Sequence, residues 1–236
     1  VTRDDAGMLV IDTGAATYQM SKTAFRLFDR VTLATGETFS GSGALRFDGT
    51  ALDGACSLAV EHQGRERISV IGRGTIEGDL EYTIRLHFYR DLSEVKVEFR
   101  VENLTQPRIL DGQPQDNDYG SQGSVAFDDL TLMFATAGGG AWEAPIGELG
   151  AGGTQRATFA SGVSVIQESS GDAYWDSMRS FAPRLQSGAA KRASTLGIDG
   201  VSSDGPNQIA GWLDAAGVTM AVQDAWQNFP KALRAA

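Results

Sequence analysis

EYTIRLHFYRDLSEVKVEFRVEN, residues 81–103, alternates apolar and polar side chains twice over. Tyr82, Ile84, Leu86 and Phe88 interleave with Glu81, Thr83, Arg85, His87 and Tyr89. Val95, Val97, Phe99 and Val101 then interleave with Glu94, Lys96, Glu98, Arg100 and Glu102. Successive side chains of a strand point to opposite faces, so this period of two predicts two long half-buried strands. The RDLS segment between them, residues 90–93, suits a tight hairpin. The hairpin then sets both apolar rows on one face and both charged rows on the other, where Arg85 and His87 join Lys96, Glu98 and Arg100.

The same pattern recurs on both sides. Strands are expected at MLVID (8–12), TYQMS (17–21), FRLFDRVTLA (25–34), ALRF (44–47), SLAVEH (57–62), ERISVIG (66–72) and VAFDDLTLMFA (125–135). Further strands are expected at ATFA (157–160), VSVIQE (163–168), IAGWLD (209–214) and VTMAVQDAW (218–226). Only AYWDSMRSF (173–181) reads as a short helix, and no segment carries a sustained 3.6-residue apolar stripe. Without crossover helices the sheets must be antiparallel. The expected fold is all-β: one large two-sheet β-sandwich domain over residues 1–236, favoured over a barrel because its strands are many and long. Glycine-rich polar loops interrupt it at 105–123, 137–153 and 186–208. No repeat or linker-like change of composition divides the chain.

Composition narrows the function. Thirty acidic against twenty basic residues give a formal charge of −10, which disfavours nucleic acid because phosphate binding needs a concentrated basic surface. No run of about 18 apolar residues is available to span a membrane, so a membrane is not an expected partner either. The single Cys56 permits no internal disulfide and no cysteine-based zinc site. It reads as a small buried residue. The N-terminal VTRDDAGMLVIDTG lacks the order of a signal peptide, which places any export signal outside these residues. The C-terminal FPKALRAA is expected to hold neither a strand nor a helix after the last motif, as in a piece of something longer.

Several chemistries find no motif. There is no phosphate-cradling Gly-Lys-Ser/Thr loop and no dinucleotide fingerprint, and His62 and His87 stand apart rather than at metal-ligand spacing. Neither SGSG (40–43) nor SSG (169–171) has the strand-turn-helix setting of a serine nucleophile. Asp116, Asn117 and Asp118 offer oxygens to calcium, but EF-hand spacing is absent and a solvated loop is the favoured reading. NLT (103–105) matches a glycosylation acceptor and carries little weight.

Two places remain. His87 titrates near working pH in its unperturbed state, at about 6.5, and has Arg85 two residues away on the same face, which suits a general acid or base. The favoured alternative is a histidine on a solvated sheet face. Tyr174 and Trp175 follow a polar turn in QESSGDAYW (167–175), where an aromatic face can stack on a sugar or simply pin the turn. The end of the chain reads as two strands joined at 215–217, then an extended exit fixed by Pro230 through WQNFPK (226–231). Trp226, Gln227, Asn228 and Lys231 thereby come to a rim, placed to meet a ligand or a neighbouring domain.

DTGAATYQMSKTAFRLFDRVTL (12–33), RISVIGRGTIEGDLEYTIRLHFYRDLSEVKVEFRVEN (67–103), QESSGDAYW (167–175) and GWLDAAGVTMAVQDAWQNFPKAL (211–233) together resemble the central β-sandwich domain of the rhamnogalacturonan exolyase family. The resemblance spans about Val10 to Leu233, and WQNFPK in its frame is the most specific part. It implies flanking domains, an N-terminal β-barrel and a C-terminal α/α toroid. It also implies a secreted or periplasmic setting and β-elimination on an acidic, plant-type polysaccharide. That reaction needs a cation or metal on the uronate carboxylate, a base for the α proton and an acid for the leaving oxygen. Arg85, His87, Tyr174 and Lys231 are chemically suited to these jobs, although no catalytic residue of the family maps onto them. Trp175, Trp226, Gln227 and Asn228 would contact substrate. Without a toroid the chain holds half a site and is expected to be inactive alone. The alternatives are a non-catalytic carbohydrate-binding module and an architectural domain bracing a neighbour through Trp226 and Phe229.

Overall fold

The computed structural model describes residues 3–24, 26–40, 42–52, 56–76, 80–104, 130–135, 142–146, 155–159, 163–167, 195–196, 212–215, 217–223 and 231–235. The chain forms two compact units, Val1–Ala137 and Gly138–Ala236. Every regular element among the described residues is a strand, and every pairing is antiparallel.

The first unit opens with a five-stranded meander, β1 (Arg3–Asp4), β2 (Met8–Asp12), β3 (Ala16–Ser21), β4 (Arg30–Leu33) and β5 (Thr38–Ser40). A second ladder begins with β6 (Ser42–Phe47) and β7 (Thr50–Ala51). The turn between them is Asp48-Gly49, both at positive φ (49° and 74°), the pair that a two-residue hairpin of matching twist demands. Then come β8 (Ser57–Gln63), β9 (Arg67–Thr75), β10 (Leu80–Tyr89) and β11 (Val95–Asn103), paired in the order β11-β10-β9-β8. Finally β12 (Leu130–Ala135) returns to pair with β6.

The 81–103 hairpin has the register that its alternation demands. Tyr82 faces Val101, Ile84 faces Phe99, Leu86 faces Val97 and Phe88 faces Val95, while Arg85 faces Glu98 and His87 faces Lys96. The apolar row packs against the meander: Tyr82, Ile84, Leu86 and Phe88 share one core with Leu9, Ile11, Tyr18, Met20 and Phe28. Each such side chain contributes about 1.5–3 kcal/mol by leaving water. This face-to-face packing of antiparallel sheets is the sandwich.

FRLFDRVTLA departs from expectation, because its strand is confined to β4. Leu27 and Phe28 are adjacent in sequence, and both are buried and belong to the same core cluster. The chain bends there instead, tied by Asp29 N–H to the Gln19 carbonyl (2.8 Å) and by Ser21 N–H to the Asp29 carboxylate (2.6 Å).

The second unit holds β13 (Trp142–Ile146), β14 (Gln155–Phe159), β15 (Val163–Gln167), β16 (Thr195–Leu196), β17 (Trp212–Ala215), β18 (Val218–Ala221) and β19 (Lys231–Ala235). They form two ladders, β14-β13-β17-β18 and β16-β15-β19. β13 lies in a stretch read as loop. Its Pro145 pairs across to Arg156 but falls past Trp142 and Glu143, where β17 pairs, so no ladder bond is lost on that side. The C-terminal expectation is corrected as well: KALRA is a strand, running along β15 from Gln167↔Lys231 to Val163↔Ala235. The helix read at 173–181 lies outside the described residues.

Gly74 sits opposite Tyr82, and a Cβ there would run into the tyrosine ring. Tyr82 has little room to yield. It is buried, stacks on Phe99 at 6.0 Å and is hydrogen-bonded with Cys56. Gly74→Ala should therefore cost about 1–3 kcal/mol in denaturant unfolding. Gly7→Ala, whose added carbon meets nothing nearer than 3.9 Å, should stay within about 0.5 kcal/mol of the parent.

Candidate functional site

The outer face of the β8–β11 sheet carries the charged rows of the hairpin. Register aligns them across all four strands. One row reads Lys96, His87, Ser69, His62, the next Glu98, Arg85, Ile71, Ala59, and the third Arg100, Thr83, Arg73, Ser57. A shift of register between Val60 and His62 marks a bulge at Glu61. Bulges re-aim side chains, and here the Glu61 carboxylate reaches across β9 to Arg85, whose Nε donates to both oxygens at 3.1 and 3.0 Å. The residue in the row between them is Ile71, an outward-facing isoleucine that is nonetheless buried. The aliphatic stem of Arg85 and its paired carboxylate are the cover that register puts over it.

His87 is a buried histidine, not a solvated one on a sheet face. It is 8% exposed, with Nδ1 2.8 Å from the Ser69 hydroxyl and Nε2 3.5 Å from Glu98 Oε2. Lys96 Nζ holds the other oxygen of Glu98 at 2.8 Å. Burial follows from the row itself: Ser69, its neighbour on β9, is 2% exposed. Serine, histidine and glutamate in sequence of contact have the residue types of a nucleophile, a base and an orienting acid. A hydroxyl so enclosed meets no substrate, however, and the trio is a satisfied polar network beneath the charged surface.

The charges have set each other. Hydrogen bonding to Arg85 holds the Glu61 carboxyl below its ordinary range, and bonding first to Lys96 and then to His87 does the same for Glu98. Glu61 and Glu98 in turn hold the Arg85 and Lys96 cations more firmly. The Arg85 Nε is thus already engaged by a carboxylate of its own chain, and its bonds to Glu61 leave the two Nη groups as the donors a uronate would meet.

Arg85 and His87 are brought together as expected. Lys231 is the first residue of β19, in the second unit, opposite Gln167. Tyr174, Trp175, Trp226, Gln227 and Asn228 lie outside the described residues, as do Asp116, Asn117 and Asp118. Among the described residues no group of three or more His, Cys, Asp or Glu side chains is placed to hold a metal ion. Glu61 and Ser69 were missed. Ser69 was within reach of the sequence, because pairing the 66–72 strand antiparallel to 81–89 sets it beside His87; the bulge that turns Glu61 has no such signal. No protein-family model matches this chain, and no curated protein is significantly similar to it.

A depressed carboxylate pKa gives stability that is complete above the ordinary value of 4.5 and is lost as pH falls through the lower folded value. Glu61→Gln, which cannot titrate, should accordingly flatten the fall in melting temperature between about pH 5 and pH 3. Parallel calorimetric melting curves for the variant and its parent would remove Glu61 from the acid response.

Proposed function

We propose that this chain is a carbohydrate-binding β-sandwich for acidic, uronate-containing polysaccharide, with the outer face of β8–β11 as its glycan-contacting surface. In this reading it serves an exported protein of the rhamnogalacturonan exolyase type, whose neighbouring domains, a β-barrel and an α/α toroid, bring the elimination chemistry. The supporting observation is local charge. Arg67, Arg73, Arg85, Lys96 and Arg100 share this face with Glu61, Glu81, Glu94, Glu98 and Glu102, so cations match carboxylates here on a chain whose formal charge is −10. Tyr89, half-buried beside Arg67 in the same register, adds an aromatic ring of the kind that stacks on sugars. Flat sheet faces with alternating cations and carboxylates offer a uronate chain repeated charge-assisted hydrogen bonds.

Binding is favoured over catalysis because both oxygens of Glu61 hold the Arg85 Nε and His87 is fixed between Ser69 and Glu98. A lyase base needs a lone pair aimed outward and an adjacent cation ready for the substrate carboxylate. Affinity electrophoresis tests the reading. The chain should be retarded by polygalacturonate but not by a neutral galactan, and retardation should fade in about 0.5 M salt. Arg85→Ala with Arg100→Ala should abolish it, and ultraviolet absorbance should show no unsaturated uronate from the chain alone. Free migration through every acidic glycan, or release of unsaturated product, would contradict the proposal.

A further inference from the structure

β11 is the outermost strand of its sheet: among the described residues it pairs on one side only, with β10. It is nine residues long, and a long open edge invites another strand. Its polar row alternates in sign, Lys96, Glu98, Arg100, Glu102. On its apolar row Val97 is 36% exposed, and Val95, Phe99 and Val101 are only partly buried against the core. The edge therefore still has apolar surface to cover.

The sign pattern says what fits there. When a second β11 is laid antiparallel on the first with a two-fold axis at Phe99, Lys96 meets Glu102 and Glu98 meets Arg100, in both directions. On the other face Val97 meets Val101, and the two Phe99 rings meet at the axis. Every charged pair is of opposite sign. Moving the axis by one residue in either direction reverses this: at Glu98, Lys96 meets Arg100; at Arg100, Glu98 meets Glu102. Opposite charges directly across an antiparallel pair stabilise it and like charges destabilise it, so the edge is self-complementary when the axis falls on an apolar residue, and Phe99, at the centre of β11, is the one that overlaps the two strands over their whole length.

We propose that two copies of this chain associate through β11, edge to edge about Phe99, into one continuous eight-stranded sheet. An axis perpendicular to the sheet keeps like faces together, so the charged faces of the two copies join into one surface twice as long. Each copy buries one strand edge, less than a standard interface, so the dimer should be weak and its population should rise with concentration.

Sedimentation velocity on the full chain from about 5 to 300 μM tests this, with circular dichroism melts to confirm that each variant folds. The parent should pass from monomer to dimer over that range. Glu98→Arg puts like charges at the crossing with Arg100, and Arg100→Glu does the same at the crossing with Glu98, so each variant alone should dimerise about tenfold or more weakly. An equimolar mixture of these two variants restores opposite signs at both crossings and should recover the dimer. A parent that remains monomeric throughout, single variants that dimerise like the parent, or a mixture that stays as weak as its components would each overturn the proposal.

Discussion

Phe88 stands where two sheets meet. Its ring lies 5.0 Å from Tyr18 on β3 and 6.3 Å from Phe28 at the bend before β4, and Tyr18 and Phe28 are 5.2 Å apart. This three-ring contact joins the meander to the β8–β11 sheet, and the hairpin beyond it is tied down by hydrogen bonds. Tyr18 donates to the Ser93 carbonyl at 2.6 Å, Thr13 Oγ1 to the Leu92 carbonyl at 2.8 Å, and Asp91 N–H to the Thr13 carbonyl at 2.7 Å. Burial pushes the Tyr18 phenol up to about 12, so it remains a donor through the physiological range. Gly14, at φ +90°, lets the β2–β3 turn approach this tip: a Cβ there would come within 2.9 Å of the Asp91 carboxylate. With the inner face of β10 so fixed, its outer face is fixed too, and the charged rows inherit their spacing from the core.

That coupling explains what could be read in advance. A clean alternation is the projection of a half-buried sheet onto sequence, and at residues 81–103 it gave strand type, register and the composition of both faces. MLVID coincides with β2 for the same reason. Where local pattern and tertiary packing disagree, the pattern misleads. Leu27 and Phe28 look like strand but turn into the core together, and KALRA looks like tail but pairs with β15. The Asp48-Gly49 hairpin is legible from its turn chemistry, an aspartate and a glycine both at positive φ.

The site was half legible. Arg85 and His87 followed from periodicity, but whether a polar residue on a sheet face is wet depends on partners two strands away, which spacing along one strand does not encode. A bulge in β8 supplies Glu61 to Arg85, and Ser69 supplies a hydroxyl to His87. The consequence for chemistry is direct. Residue types that suggest acid, base and cation are neutralised into a surface lattice, which favours recognising a charged polymer over breaking it.

The claim that the outer face of β8–β11 recognises uronate is tested most directly by titrating an isotope-labelled chain with oligogalacturonate and following backbone amide shifts. The expected result is a saturable set of shifts on outward-facing residues of these strands, centred on Arg85, Arg73 and Arg100, with the inward-facing Ile84 and Val70 unmoved. Shifts confined to other parts of the chain, or none at all up to millimolar ligand, would contradict it.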